Sequence, residues 1–93
     1  MAILQYSLLA EMDLAEIALY IAEDSPINAR NFIEKIKTKC LMLADMPRLG
    51  REYPELASGL YGFPLKNYIV FYEITDEGIV IARVLNAKRN LLN

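Results

Sequence analysis

Residues 60 to 89 constrain the fold more than any other stretch. They read Leu60-Tyr-Gly-Phe-Pro-Leu-Lys-Asn-Tyr-Ile-Val-Phe-Tyr-Glu-Ile-Thr-Asp-Glu-Gly-Ile-Val-Ile-Ala-Arg-Val-Leu-Asn-Ala-Lys-Arg89. Tyr61, Phe63 and Leu65 alternate with Gly62, Pro64 and Lys66, the period-two signal of a half-buried strand. Tyr68 to Ile74 is β-branched and aromatic almost throughout, a mix that packs well on a pleated surface. Thr75-Asp76-Glu77-Gly78 is a turn, and Ile79 to Leu85 resumes the apolar run. Strict alternation puts Ile79, Ile81 and Leu85 on one face of this last strand and Val80, Ala82 and Val84 on the other. A strand apolar on both faces is normally covered on both. The helices read below can cover only one. The chain's own tail, a second copy or a partner protein is expected to cover part of the other.

Ahead of this stretch the period is helical. Ala2 to Tyr6 is a short strand candidate, and Ser7 a helix N-cap. Leu9, Met12, Ala15 or Glu16, Ile17, Tyr20 and Ile21 mark one face of a first helix, with Glu11, Asp13, Glu16, Glu23 and Asp24 mostly elsewhere. Asp24-Ser25-Pro26 ends it and starts another: Ser25 caps, and Pro26 at the first helical position has no amide to lose. The second helix runs to about Ala44, with Ala29, Phe32, Ile33, Ile36, Cys40 and Leu43 at buried-face spacing. Arg30, Glu34, Lys37 and Lys39 form its wet side. So short a junction makes the pair a helical hairpin.

Asp45 to Gly59 is a linker with two prolines and two glycines, long for a connection in so small a domain. Its Arg48 and Arg51 are expected to pair with Glu52, Glu55 or the helix ends. The tail, Ala87 to Asn93, is a short amphipathic end whose Leu91 and Leu92 are expected to fold back onto the sheet.

Ninety-three residues make one domain. The apolar share of 55% rules out disorder and points to apolar surface kept for a partner. A net charge of −2, with signs interleaved along the chain, gives no polycationic arm for bulk nucleic-acid binding. The start has no basic segment before an apolar one, so neither a signal peptide nor a membrane span is expected, and the cytoplasm is the expected location. There is no histidine and one cysteine, Cys40. The residue set therefore offers no metal cluster, no base for a nucleophilic serine, and no internal disulfide. Cys40 reads as a small core residue. What remains is a basic and aromatic set: Tyr61, Lys66, Tyr72, Arg83, Lys88 and Arg89. Such groups can stabilise charge in RNA cleavage, but Tyr68 and Tyr72 in a strand read first as core residues with a hydroxyl at the rim.

The order strand, helix, helix, long linker, three strands resembles the ParE branch of the RelE/ParE toxin superfamily of type II toxin–antitoxin modules. The matching pieces are Ala10-x-x-Asp13-Leu14-x-x-Ile17-x-x-Tyr20-Ile21, Ser25-Pro26-x-x-Ala29-x-x-Phe32-Ile33 and Met46-Pro47-Arg48-Leu49-Gly50-Arg51. They continue with Gly59-Leu60-x-x-Phe63-Pro64, Asn67-Tyr68-Ile69-Val70-Phe71-Tyr72 and Ile81-x-Arg83-Val84-Leu85-x-x-x-Arg89. Together they cover nearly the whole chain. Tyr61 stands where the family commonly has arginine, and Asn86 where it often has histidine. The RNA-cleaving RelE branch relies on basic residues on the sheet and a tail tyrosine or histidine, and the acidic balance, the sparse sheet lysines and the Leu91-Leu92 tail match that set poorly.

The resemblance implies an α+β fold: an N-terminal strand, an α-helical hairpin, then a three-stranded antiparallel β-sheet segment, with the helices on one sheet face. It implies a plasmid-stabilisation type of toxin that inhibits DNA gyrase by binding and is neutralised by a cognate antitoxin. The expected target-binding residues are Arg48, Arg51, Tyr61, Arg83, Lys88 and Arg89. The expected antitoxin-binding residues are Val80, Ala82, Val84, Tyr20 and Ile21, with acidic antitoxin side chains meeting Arg48, Arg83 or Arg89. A homodimer is the other arrangement that would cover the same face. No catalytic residue, metal or cofactor is expected on this reading. The alternatives are a RelE-like ribosome-dependent mRNA endonuclease, which would use Lys66, Arg83 and Arg89, and a non-toxic protein-binding member of the family.

Overall fold

The computed structural model describes residues 2–90, with side chains through Lys88. Its elements are β1 (Ile3–Tyr6), α1 (Leu8–Ala22), α2 (Pro26–Asp45), a 3₁₀ turn (Pro47–Leu49), β2 (Arg51–Glu52), β3 (Leu60–Leu65), β4 (Tyr68–Ile74), β5 (Gly78–Asn86) and α3 (Ala87–Asn90). The class is the expected α+β, with one strand more than the sequence announced. The linker supplies it: Arg51 and Glu52 pair antiparallel with Gly62 and Tyr61. The sheet order is β1-β5-β4-β3-β2. All neighbours are antiparallel except β1 and β5, which run parallel with Ile3 opposite Gly78 and Tyr6 opposite Ile81.

Both helix starts form as their sequences dictate. Ser7 Oγ accepts from the Ala10 amide at 3.0 Å and donates to the Ala82 carbonyl at 2.8 Å, so one hydroxyl caps α1 and ties it to β5. Ser25 Oγ accepts from the Asn28 amide, with Pro26 opening α2. Such caps contribute about 1 kcal/mol each. Gly78 sits where β5 passes β1 so closely that any Cβ would collide with the Ile3 backbone.

The core lies between the helical hairpin and one face of the sheet. Ile36, Cys40 and Leu43 of α2 and Val70, Tyr72, Ile79 and Ile81 of the sheet are fully buried there. Each large apolar side chain so buried stabilises the fold by about 1.5–3 kcal/mol. The α2 stripe is the one read from sequence. The α1 stripe is only partly so: Ile17 faces inward as read, but it is joined there by Ala10, Asp13 and Leu14, while Leu9, Met12 and Tyr20 are exposed. Apolar residues on both sides of α1 left its orientation undetermined by periodicity alone.

A second correction concerns β5. Phe71 pairs with Arg83 and Tyr72 with Ile81, leaving Ala82 as the extra residue of a β-bulge. The insertion shifts the alternation by one, so Val84, 2% exposed, joins Ile79 and Ile81 in the core. The opposite face carries Ile69 and Phe71. The linker's own Tyr53 packs edge-on against Phe71, with ring centroids 5.2 Å apart. Leu91 and Leu92, expected on the sheet, lie outside the described residues.

Candidate functional site

Asp13 is a polar group that ties α1 to β5. It is buried on the inner side of α1, and its Oδ2 accepts from Arg83 Nε at 2.8 Å and from the Val84 amide at 2.9 Å. Its Oδ1 accepts from Arg83 Nη2 at 3.0 Å. The bulge at Ala82 brings Arg83 and the Val84 amide to this one carboxylate. A carboxylate taking three donors, two from a guanidinium fork, has its desolvation compensated by charge-assisted bonds. The pair in turn holds the Arg83 guanidinium in its charged form, raised first by the Asp13 hydrogen bonds and further by the nearby charges of Asp13 and Glu16.

Beside this pair opens a cleft of about 310 Å³ at the junction of α1 with β4 and β5. Asp13, Glu16, Tyr20, Tyr68, Arg83 and Asn86 are among its lining residues. Asn86 Oδ1 accepts from the Lys88 amide, which sets the turn into α3.

A second polar assembly forms at the far edge of the sheet. Tyr72 Oη donates to the Pro47 carbonyl at 2.7 Å and accepts from the Gly50 amide at 3.0 Å, fastening the linker to the core. Gly50 is required by this approach, since a Cβ there would meet the Tyr72 hydroxyl. Burial pushes the Tyr72 phenol upward, against the Gly50 amide, which favours the phenolate; the neighbouring Tyr61 adds to the rise. Tyr61 stacks on Tyr72 with centroids 5.6 Å apart, and Arg48 Nη1 donates to its hydroxyl at 3.0 Å. Arg51 lies over the Tyr53 ring at 3.9 Å and pairs with Glu55 at 3.2 Å. The Arg51–Glu55 pair is the one the sequence suggested; Arg48 takes a tyrosine rather than a glutamate.

The expected target-binding residues therefore fall into two groups. Arg48, Arg51 and Tyr61 share the β2–β3 edge. Arg83 stands on β5, in a row with Phe71, Gly62 and Arg51, three strand spacings or about 14 Å from Arg51. Lys88 is exposed on α3, and the Arg89 side chain lies outside the described residues. Lys66 occupies the exposed β3–β4 turn at φ 59°, at the end of the sheet where α3 begins. Of the expected antitoxin contacts, Tyr20 is exposed, Ile21, Val80 and Ala82 are half-buried, and Val84 offers no surface. Sequence reasoning missed Asp13, which it placed with the solvated acids. Its spacing of three from Ala10 and four to Ile17 was the available signal, because all three fall on one helical face. Among the described residues, no cluster of three acidic or cysteine side chains could hold a metal ion.

A helical hairpin lying on an antiparallel sheet whose first strand is parallel to its last defines a small α+β domain, and known proteins share it. The chain belongs to the ParE family: the pattern described as the ParE toxin of type II toxin–antitoxin system, parDE, matches residues 4–91. It is similar to the toxin ParE3 of Caulobacter vibrioides, with 36% identity over 59 residues, or 63% of this chain. The matched stretch spans 59% of that relative's length. The fold matches a solved structure described as the chromosomal ParDE TA system from P. aeruginosa. That match has a TM-score of 0.78 and 20% identity, covering 92% of this chain and 96% of that one. No helix among the described residues is long and apolar enough to cross a membrane.

Proposed function

We infer that this ParE-type toxin acts in the cytoplasm by binding DNA gyrase and blocking it without chemistry, and that a cognate antitoxin neutralises it by covering its surface. Membership of the ParE family over residues 4–91 supports the class. The observation that carries the choice between binding and RNA cleavage is the Asp13–Arg83 pair. A cleaving site needs its arginine free to meet charge that develops on the substrate. Here two nitrogens of Arg83 are bonded to Asp13, and the charge of Glu16 acts on the same guanidinium. A cation so balanced contributes little to a phosphorane-like state.

The surface that meets gyrase is assigned to the positive edge at Lys88 and Arg89, with the Arg48 to Arg51 loop as the second contact. With denaturation as the check on folding, and with the exposed Lys88 expected to contribute no more than about 1 kcal/mol, the test is the double variant Lys88→Glu with Arg89→Glu. It is expected to abolish inhibition in a gyrase supercoiling assay. A folded double variant that still blocks supercoiling moves the active surface to the loop. Codon-phased message ends on translating ribosomes after induction would replace the gyrase reading with endonuclease activity. Mixing the chain with the product of the neighbouring gene and sedimenting the mixture tests the antitoxin.

A further inference from the structure

The outward side of α1 is apolar where a solvated helix would be polar. Leu8, Leu19 and Tyr20 are 72%, 71% and 71% exposed, and Leu9 and Met12 lie with them at about half. At 100° per residue Leu8, Met12 and Leu19 fall on one line, with Leu9 and Tyr20 beside it. Glu16 and Glu23 lie between and alongside these rows, and both are exposed. Every charged residue of α1 is acidic: Glu11, Asp13 and Glu16, with Glu23 and Asp24 following directly. Among the described residues only Asp13 of these has a hydrogen-bonded cationic partner, Arg83. Glu11 lies toward the α2 side, near Lys37.

We propose that this face of α1 is the docking surface for a basic amphipathic segment of a partner protein, and that an arginine or lysine side chain of that segment enters the cleft between Glu16, Tyr20 and Tyr68. The inference deepens the antitoxin reading above and rests on it only for what the partner is. The charge balance decides the sign. In the cleft, Arg83 offsets one of the two carboxylates Asp13 and Glu16, so one negative charge is left over. Two tyrosine rings line the same cleft, and aromatic faces attract cations. The acidic partner side chain that the sequence suggested for Arg83 would instead face Glu16. The same sign disfavours nucleic acid, whose phosphates need cations. It also disfavours a second copy, which would set Glu16 and Glu23 against their own kind.

The test uses two amidated, fluorescently labelled peptides as long as α1, with leucines at the same helical spacing. One carries arginine at the polar positions and the other glutamate. With the full chain, anisotropy is expected to show the arginine peptide binding at least about tenfold more tightly than the glutamate peptide, a difference that shrinks with added salt. Glu16→Gln is expected to weaken arginine-peptide binding about threefold and Glu16→Lys about tenfold, the reach of one partly exposed charge contact. Glu16 is exposed, so both variants fold; circular dichroism checks this. Amide shifts of Glu16, Tyr20, Tyr68 and Asn86 should move with the arginine peptide.

Equal binding of the two peptides, no binding of the arginine peptide, or indifference to Glu16→Lys overturns the proposal. So does a chain that sediments alone as a dimer and becomes a monomer with Leu19→Glu, which assigns the face to a second copy. The neighbouring gene's product separates the two readings. If it ignores the parent chain while the peptides discriminate, the antitoxin reading falls and the cleft stands. If it binds parent and Glu16→Lys alike and the peptides do not discriminate, the cleft falls and the antitoxin reading stands.

Discussion

Replacing Asp13 with alanine strips three donors of their acceptor at once. The Val84 amide is buried, and leaving it unpaired costs about 1–3 kcal/mol. Arg83 has a side chain 40% exposed, so its lost partner is largely replaced by water, a further cost of about 0.5–1 kcal/mol after screening. Removing a carboxylate that was itself desolvated offsets part of this sum. A net loss of about 2–3 kcal/mol results, which in a domain of this size lowers Tm by roughly 10–20 °C. Asp13→Asn keeps a carbonyl oxygen for the Val84 amide and should lose only about 1 kcal/mol. Arg83→Ala leaves the buried carboxylate with the Val84 amide alone. Asp13→Ala with Arg83→Ala should therefore cost less than the two single changes added, by about 1–2 kcal/mol. Thermal and urea denaturation of all four variants give the cycle, and amide exchange at Val84 reports the bond itself. Strict additivity, or equal losses for Asp13→Asn and Asp13→Ala, would refute the assignment of Asp13 as acceptor for both strand and guanidinium.

Other perturbations probe the remaining joints. Tyr72→Phe removes the bonds to Pro47 and Gly50 and should cost about 1–2 kcal/mol, with faster amide exchange confined to the 47–52 loop. Gly78→Ala must push β1 off β5; loss of exchange protection for the Ile3 and Ser7 amides, which bond the Glu77 and Ile81 carbonyls, would show it. Val84→Ala should destabilise by about 1–2 kcal/mol and Val80→Ala by less than half that, whereas an unbulged strand would put both valines on one face and make the two losses alike. Burial raises Tyr6, Cys40 and Tyr72 above their ordinary values of 10.0, 9.0 and 10.0, so the fold holds their protons more tightly than the unfolded chain does. Their contribution is fully present below pH 9.0 and is lost as pH climbs through the unfolded values toward the folded ones. Denaturant midpoints measured from neutral pH upward should fall above that point, and Tyr6→Phe should flatten the fall.

What could be read from the chain, and what could not, divides by distance. Ser7, Ser25 and Pro26 announce helix starts because a cap acts within three residues. The α2 stripe and the β4 run were legible because a single period dominates each. The orientation of α1 was not, since Leu9, Met12 and Tyr20 compete with Ala10 and Leu14 for the place beside Ile17 on the inner side and only tertiary packing chooses. The bulge at Ala82 was hidden because it depends on how β5 pairs with β4, and it reversed the expected side of Val84. Asp13 and Arg83 stand 70 positions apart, beyond any local signal. Part of the second sheet face was given to tail or partner because Tyr53 sits in a stretch with no strand pattern of its own.

The parallel pairing of β1 with β5 also sets the order in which the molecule can come into being. During synthesis the hairpin of α1 and α2 emerges early, but β1 has no strand beside it until Gly78 to Ile81 has been made. The same late segment supplies Ala82 for Ser7 and Arg83 for Asp13. Closing such long sequence separations is slow compared with helix formation. A nascent chain short of residue 84 thus holds an orphaned first strand, an unpaired buried acid and half a core. The finished surface, with whatever harm it can do, arises only once the strand that carries residues 78 to 84 has left the ribosome.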